Sequence, residues 1–254
     1  MPDTPKSTNR YQVLLQGVFF GRWTEGVTEV PFNRDDLVSQ ATTDGISLPK
    51  NLGDVIYTVR YRQSLPRSIL DTQPDGFEWV IEGIGTARYA FRLVPVSRIL
   101  PNKNLLVIDI PEATPEIVRR YALNDEQALL AIVRYNRLLD IFLGIATYSL
   151  QNHLRTHVSG IGQIEIDELY VGVDRLGHHY IIPVQAKARK DQIGIVQTKQ
   201  DITFCENRFP GLVCRAISAQ FRDDDIVALF ELTLVDGQVR IRDERHYRIA
   251  RDAG

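Results

Sequence analysis

QIEIDELYVGVDRLGHHYIIPVQAKARKDQIGIVQTKQD, residues 163 to 201, is the stretch from which the rest of the chain can be read. Its first part, Gln163 to Val173, is β-branched and aromatic with acids set among apolar residues. A turn, Asp174-Arg175-Leu176-Gly177, precedes a second apolar run from Tyr180 to Lys187. Two such runs around an Asp–Gly turn predict a β-hairpin. Residues two apart on a strand share a face, so Glu165 pairs with Asp167 and Gln185 with Lys187. Both runs are apolar enough to be covered on both sides, where charge is costly unless paired or metal-bound. A solvated strand end, Lys187 to Lys190, is the bland alternative.

Two carboxylates, an amide and an ammonium on one hairpin have a chemical use. Carboxylate and carbonyl oxygens suit hard cations such as Mg2+. A lysine beside them can orient a water or neutralise charge developing on a phosphate. Glu165-Ile166-Asp167 followed by Gln185-Ala186-Lys187 resembles the E-x-D and (E/Q)-x-K strands of the PD-(D/E)XK nucleases. That resemblance spans about residues 163 to 200. It implies a restriction-endonuclease-like α/β fold, a mixed sheet flanked by helices. It also implies Mg2+ held by Asp167, Glu165 and the Gln185 oxygen, with Lys187 serving the attacking water. Gln185 stands where an acid is commoner, so the missing charge must come from Glu165 or Glu168. Pro183, unable to donate to a ladder, predicts a strand start or a bulge just before the site.

Composition bounds the rest. The 254 residues are 44% hydrophobic and 24% charged, with a net charge of −2, so no global basic field announces nucleic acid. Cys205 and Cys214 are the two cysteines, which excludes a disulfide framework and favours a reducing compartment. A polar N-terminus, expected as a frayed tail, and the lack of an 18-residue apolar run predict a soluble cytoplasmic protein without a membrane span.

Taken in order, Tyr11 to Phe20 reads as a strand or a buried segment. Asn33 caps a helix over 35–42, and Leu52, Val55, Ile56 and Val59 fit a second over 51–63. Phe77–Gly85 and Ala87–Val96 read as paired strands. Short helices followed by a hairpin predict a winged-helix-like domain over 1–113. From Arg60 to Lys103 seven basic residues face four acids, and Arg60, Arg62 and Arg67 are candidate phosphate contacts. An α+β domain with solvated arginines fits the same residues.

Residues 114–254 form the expected nuclease domain. Thr114-Pro115 starts a helix, and Asn124 with Gln127 caps a long helical region that bends at Gly144 and resumes to about Leu154. Glu126 and Asp140 lie on it; the family resemblance implies an acid from this helix at the metal, and a solvated face is the alternative for both. His153 and His157, i and i+4 at that helix end, lack the acid a zinc site would add, and His178-His179 sits in the turn, where solvation or DNA contact is commoner. A helix from Asp191 to Glu206 places Gln197 and Gln200 towards the hairpin, with Gln200 a candidate DNA contact. Three strands close the chain: 212–220, 226–234 and 238–249. The function that follows is Mg2+-dependent hydrolysis of double-stranded DNA by a restriction-type homodimer. A Holliday-junction or repair nuclease is the second enzyme reading. A non-catalytic winged-helix regulator with a degenerate nuclease domain is the rival that Gln185 keeps open.

Overall fold

The computed structural model describes residues 10–48, 52, 55–56, 65–95, 99–121, 126–158, 162–187, 193–222 and 226–250. The chain divides into two compact units, Met1–Val96 with His157–Gly162, and Ser97–Thr156 with Gln163–Gly254.

In the first unit, α1 (Arg10–Phe20) is a helix rather than a strand, and it is the buried segment that the sequence offered as the other reading. Leu14, Leu15, Val18 and Phe19 fall on one helical face and are buried. Each such side chain contributes about 1.5–3 kcal/mol on burial, which outweighs the small propensity loss of Val and Phe. β1 (Glu29–Asn33) leads into α2 (Arg34–Asp44). The predicted cap forms: Asn33 Oδ1 accepts from Asp35 N at 2.8 Å and Asp36 N at 3.1 Å, and Asp36 accepts from Asn33 N at 2.7 Å. The expected helix over 51–63 lies outside the described residues except for Leu52, Val55 and Ile56, of which Val55 and Ile56 are helical and buried. A single turn, α3 (Arg67–Leu70), precedes β2 (Phe77–Gly85) and β3 (Arg88–Pro95). The antiparallel sheet has the order β1-β3-β2. Its core is aromatic: Phe19 meets Trp79 and Phe91 edge-on, each at 5.1 Å between ring centroids.

The second unit is an α/β layer structure around a mixed sheet. It takes in residues 97–111, which the expected boundary at 113 leaves with the first domain. Ile99 packs in its core, and β4 (Val107–Pro111) pairs parallel with its last strand. Three helices follow: α4 (Glu116–Tyr121), α5 (Glu126–Tyr135) and α6 (Leu138–Leu143), the last closed by Gly144 in the left-handed conformation. Helix does not resume after Gly144; β5 (Ala146–Val158) is a 13-residue edge strand. His153 and His157 therefore sit on a strand. The hairpin follows as β6 (Gly162–Val173) and β7 (His179–Lys187), then α7 (Ile195–Arg208). The expected strand 212–220 is split at Arg215 into β8 (Val213–Cys214) and β9 (Ala216–Phe221). β10 (Ile226–Val235) and β11 (Gln238–Ala250) complete the order β4-β11-β10-β9-β7-β6-β5, with β8 also on β7.

The two faces of this sheet are covered differently. α5 and α6 pack Leu129, Leu130, Val133, Leu138 and Phe142 onto Tyr170, Ile182, Val184 and Leu229. On the other face, Ile202 of α7 joins Ala216, Ala228 and Phe230. That second face also carries most of the buried polar side chains, among them Gln185, Asp201, Ser218 and Gln220. Among the described residues no helix is long and apolar enough to cross a membrane.

Candidate metal and phosphate site

β6 and β7 run in antiparallel register from Val173–His179 to Glu168–Val184. Beyond that point side chains take over the ladder. Ala186 N donates to Asp167 Oδ2 at 2.8 Å, and Gln185 Nε2 donates to the Glu165 carbonyl at 3.0 Å. β7 meanwhile stays paired to β9 as far as Lys187–Gln220. The result is a notch between β6 and β7 walled by Asp167 and Gln185. Pro183 lies inside β7, opposite Leu169, rather than at its start. The irregularity is on the neighbouring side: β7 changes partner there from β8, at Ile181–Cys214, to β9, at Val184–Ile217. A missing N–H at that change of partner costs little.

One chain of hydrogen bonds connects the notch to α7. Lys187 Nζ donates to Gln197 Oε1 at 3.2 Å. Gln197 Nε2 donates to Gln185 Oε1 at 2.8 Å, and Gln185 Nε2 donates to Asp201 Oδ2 at 2.8 Å. Asp167, Gln185 and Lys187 thus share one face of the sheet, with Gln197 and Asp201 opposite them. Burial raises the Asp201 carboxyl well above its ordinary range, and the Asp167 charge adds to the shift. Burial also raises Asp167, against the lowering effect of the Ala186 N–H and the Lys187 charge. Asp201 Oδ1 is buried and has no hydrogen-bond partner among the described residues. Two desolvated carboxylates on one face, one with an unsatisfied oxygen, are costly unless a proton or a cation joins them.

The other predicted site residues fall in several places. Glu165 shares the face of Asp167, but its Oε1 lies 3.2 Å from His153 Nε2 and 3.0 Å from an Arg155 guanidinium nitrogen. Glu168 points to the opposite face, as alternation requires, and is bound there by Arg134 and the Tyr170 hydroxyl. It cannot supply the missing charge. Asp140 accepts from Thr147 N at 2.7 Å, and Glu126 opens α5, so both lie on elements of that opposite face. Gln200 is 6% exposed and turned into the protein, which leaves no surface for DNA. Arg67 is exposed and pairs with Asp71 at 2.8 Å, while Arg60 and Arg62 lie outside the described residues.

Asp201 is the site residue that sequence reasoning missed. The signal existed, because Asp201 follows Gln197 by four residues and so stands beside it on α7, whereas Gln200 turns away. The oxygen of Gln185 is engaged by Gln197 and its nitrogen by Asp201, so Gln185 positions an acid more directly than it replaces one. Among the described residues no group of three or more His, Cys, Asp or Glu side chains gathers into a metal cage. Mg2+ rarely uses such a cage; one or two carboxylates with waters and substrate phosphate suffice. Asp167 and Asp201 fit that requirement. No family model matches the chain, and no curated protein or solved structure matches it either.

Proposed function

We propose that this protein is a metal-dependent DNA endonuclease, resembling the PD-(D/E)XK enzymes, that hydrolyses phosphodiester bonds. The observation that carries this reading is the convergence of Asp167, Asp201 and Lys187 on one face where β6 and β7 part: Lys187, Gln197, Gln185 and Asp201 form one hydrogen-bonded chain, and Asp167, held by Ala186 N, joins them by its charge. Asp167 and Asp201 would hold Mg2+, which when bound supplies a Lewis acid for the phosphoryl oxygens and a more acidic water. Lys187 Nζ, steadied by Gln197 Oε1, orients the attacking water and faces the charge that grows on the phosphate. Gln185 holds the Asp201 carboxylate in register with the notch.

The first unit supports a DNA substrate by its topology. Helix, strand, helix, a partly described helical segment, then a hairpin, with sheet order β1-β3-β2, is the arrangement expected of a winged helix. A restriction-type homodimer acting on double-stranded DNA is the specific form we favour. The test is conversion of supercoiled plasmid with Mg2+ or Mn2+. The wild-type chain should nick or linearise it, EDTA should stop the reaction, and Asp167→Asn should be inactive while remaining folded. DNA binding without cleavage under any divalent metal would instead make the protein a non-catalytic regulator.

A further inference from the structure

β5 carries a break in its alternation that changes what the site's edge presents. Thr147 donates to Asp140 through both its N–H and its hydroxyl, so it faces α6. Ser149 lines the same face, in a concavity with Arg134, Arg137 and Tyr170. Strict alternation would send residues 151, 153 and 155 there as well. Instead Asn152 takes that direction, its Oδ1 accepting from Ser149 Oγ at 3.2 Å and from Arg134 at 3.4 Å. His153 and Arg155 reach across to Glu165 on the notch side. The residue at the change of phase is His153, with φ of +53°. Left-handed backbone is strained for a non-glycine residue, and one-residue bulges re-aim side chains beside active sites.

What the bulge delivers is an arginine and a histidine. ATYSLQNHLRTHV contains one arginine, two histidines and no acid. The His153 and Arg155 side chains are 50% and 54% exposed, whereas Glu165 beneath them is 13% exposed. Glu165 is two residues from Asp167 on the same strand face. We infer that His153 and Arg155 form a phosphate-gripping ledge for a nucleic-acid strand entering the Asp167 notch, with Glu165 as the counter-ion that holds the ledge in place rather than a metal ligand. This rests on the nuclease reading for the identity of the notch. The occupant is argued from charge: an acid-free edge strand beside two carboxylates suits a polyanion that arrives with, or recruits, divalent cations.

The ledge makes a signature that a merely structural ion pair does not. Arg155→Ala should raise the KM for plasmid cleavage several-fold with kcat changed less than twofold. It should also weaken binding of a labelled duplex and reduce the slope of log affinity against log salt by about 1. Arg155→Lys should restore most of the binding. Glu165→Gln should leave Mn2+ binding at the notch unchanged, because Glu165 serves the ledge and not the metal. The binding arm is run with Ca2+ or no metal, so it is independent of catalysis. If wild type never cuts DNA but Arg155→Ala loses affinity and salt slope, the nuclease reading fails and the ledge stands. If wild type cuts and Arg155→Ala binds and cleaves with unchanged KM and salt slope, the ledge is overturned. Loss of metal binding in Glu165→Gln would overturn the counter-ion role. Capture of another protein's strand along this edge in place of DNA would overturn the choice of partner.

Discussion

Asp167 and Glu168 are neighbours in sequence and opposites in the fold. Strand alternation sends Glu168 to the helix-covered face, where Arg134 and the Tyr170 hydroxyl bind its two oxygens. Burial raises the Tyr170 hydroxyl, so it stays protonated and donates. Asp167 goes to the other face, where the Ala186 N–H serves one oxygen and a second buried carboxylate, Asp201, stands nearby. The first acid is satisfied by the protein; among the described residues Asp201 Oδ1 has no hydrogen-bond partner. A buried charge that is fully partnered marks architecture, and one left short of partners marks a place for chemistry.

The comparison breaks most sharply on activity. Asp167→Asn should reduce metal-dependent cleavage below detection while circular dichroism and melting stay near wild type. Glu168→Ala should do the reverse: catalysis per folded molecule is retained, but the fold loses about 1–3 kcal/mol as the buried Tyr170 hydroxyl loses its acceptor. If Glu168→Ala were the inactive variant and Asp167→Asn the unstable one, the assignment of the two faces would be inverted. Next in size, Lys187→Ala should leave DNA and metal binding intact and lower the cleavage rate about 10²–10³-fold in single-turnover assays, the usual cost of one preorganised charge.

The smallest effect concerns stability and pH. Folded Asp201 ionises above its unfolded value, so its contribution is full below the unfolded pKa, about 3.9, is lost as the pH rises from there through the folded pKa, and is level above it. Without metal, Asp201→Asn should therefore melt higher than wild type at neutral pH. The difference should shrink as the pH falls towards the ordinary carboxylate range. A variant that melts lower at neutral pH would mean that Asp201 is already compensated within the protein.

The same contrast explains what the sequence made legible. Period-two patterning and the Asp174–Gly177 turn placed β6 and β7 within a residue or two, because the turn is self-sufficient: Asp174 accepts from Leu176 N, His178 N and Tyr180 Oη. The His178 imidazole first, and then these bonds, hold its carboxyl well below the usual range. That Glu165 shares a face with Asp167, and Gln185 with Lys187, followed from i, i+2 spacing; their choice as a site followed from the resemblance to the PD-(D/E)XK nucleases. α1 misled because Val and Phe favour strands locally, whereas packing of Leu14, Leu15, Val18 and Phe19 decides the matter. β5 misled in the other direction: it is largely exposed, so no apolar alternation marks it, and β6 beside it supplies its sheet partner. Asp201 was overlooked for a third reason. It belongs to the site only because α7 lies across the notch, a tertiary relation that strand spacing does not encode.

The most direct test of the account is calorimetric titration of the full chain with Mn2+, comparing wild type with Asp167→Asn, Asp201→Asn and Glu168→Gln. We predict binding by wild type and Glu168→Gln, and its loss in both aspartate variants. Absence of binding by wild type, or equal loss in Glu168→Gln, would contradict the claim that the Asp167–Asp201 face is a metal centre.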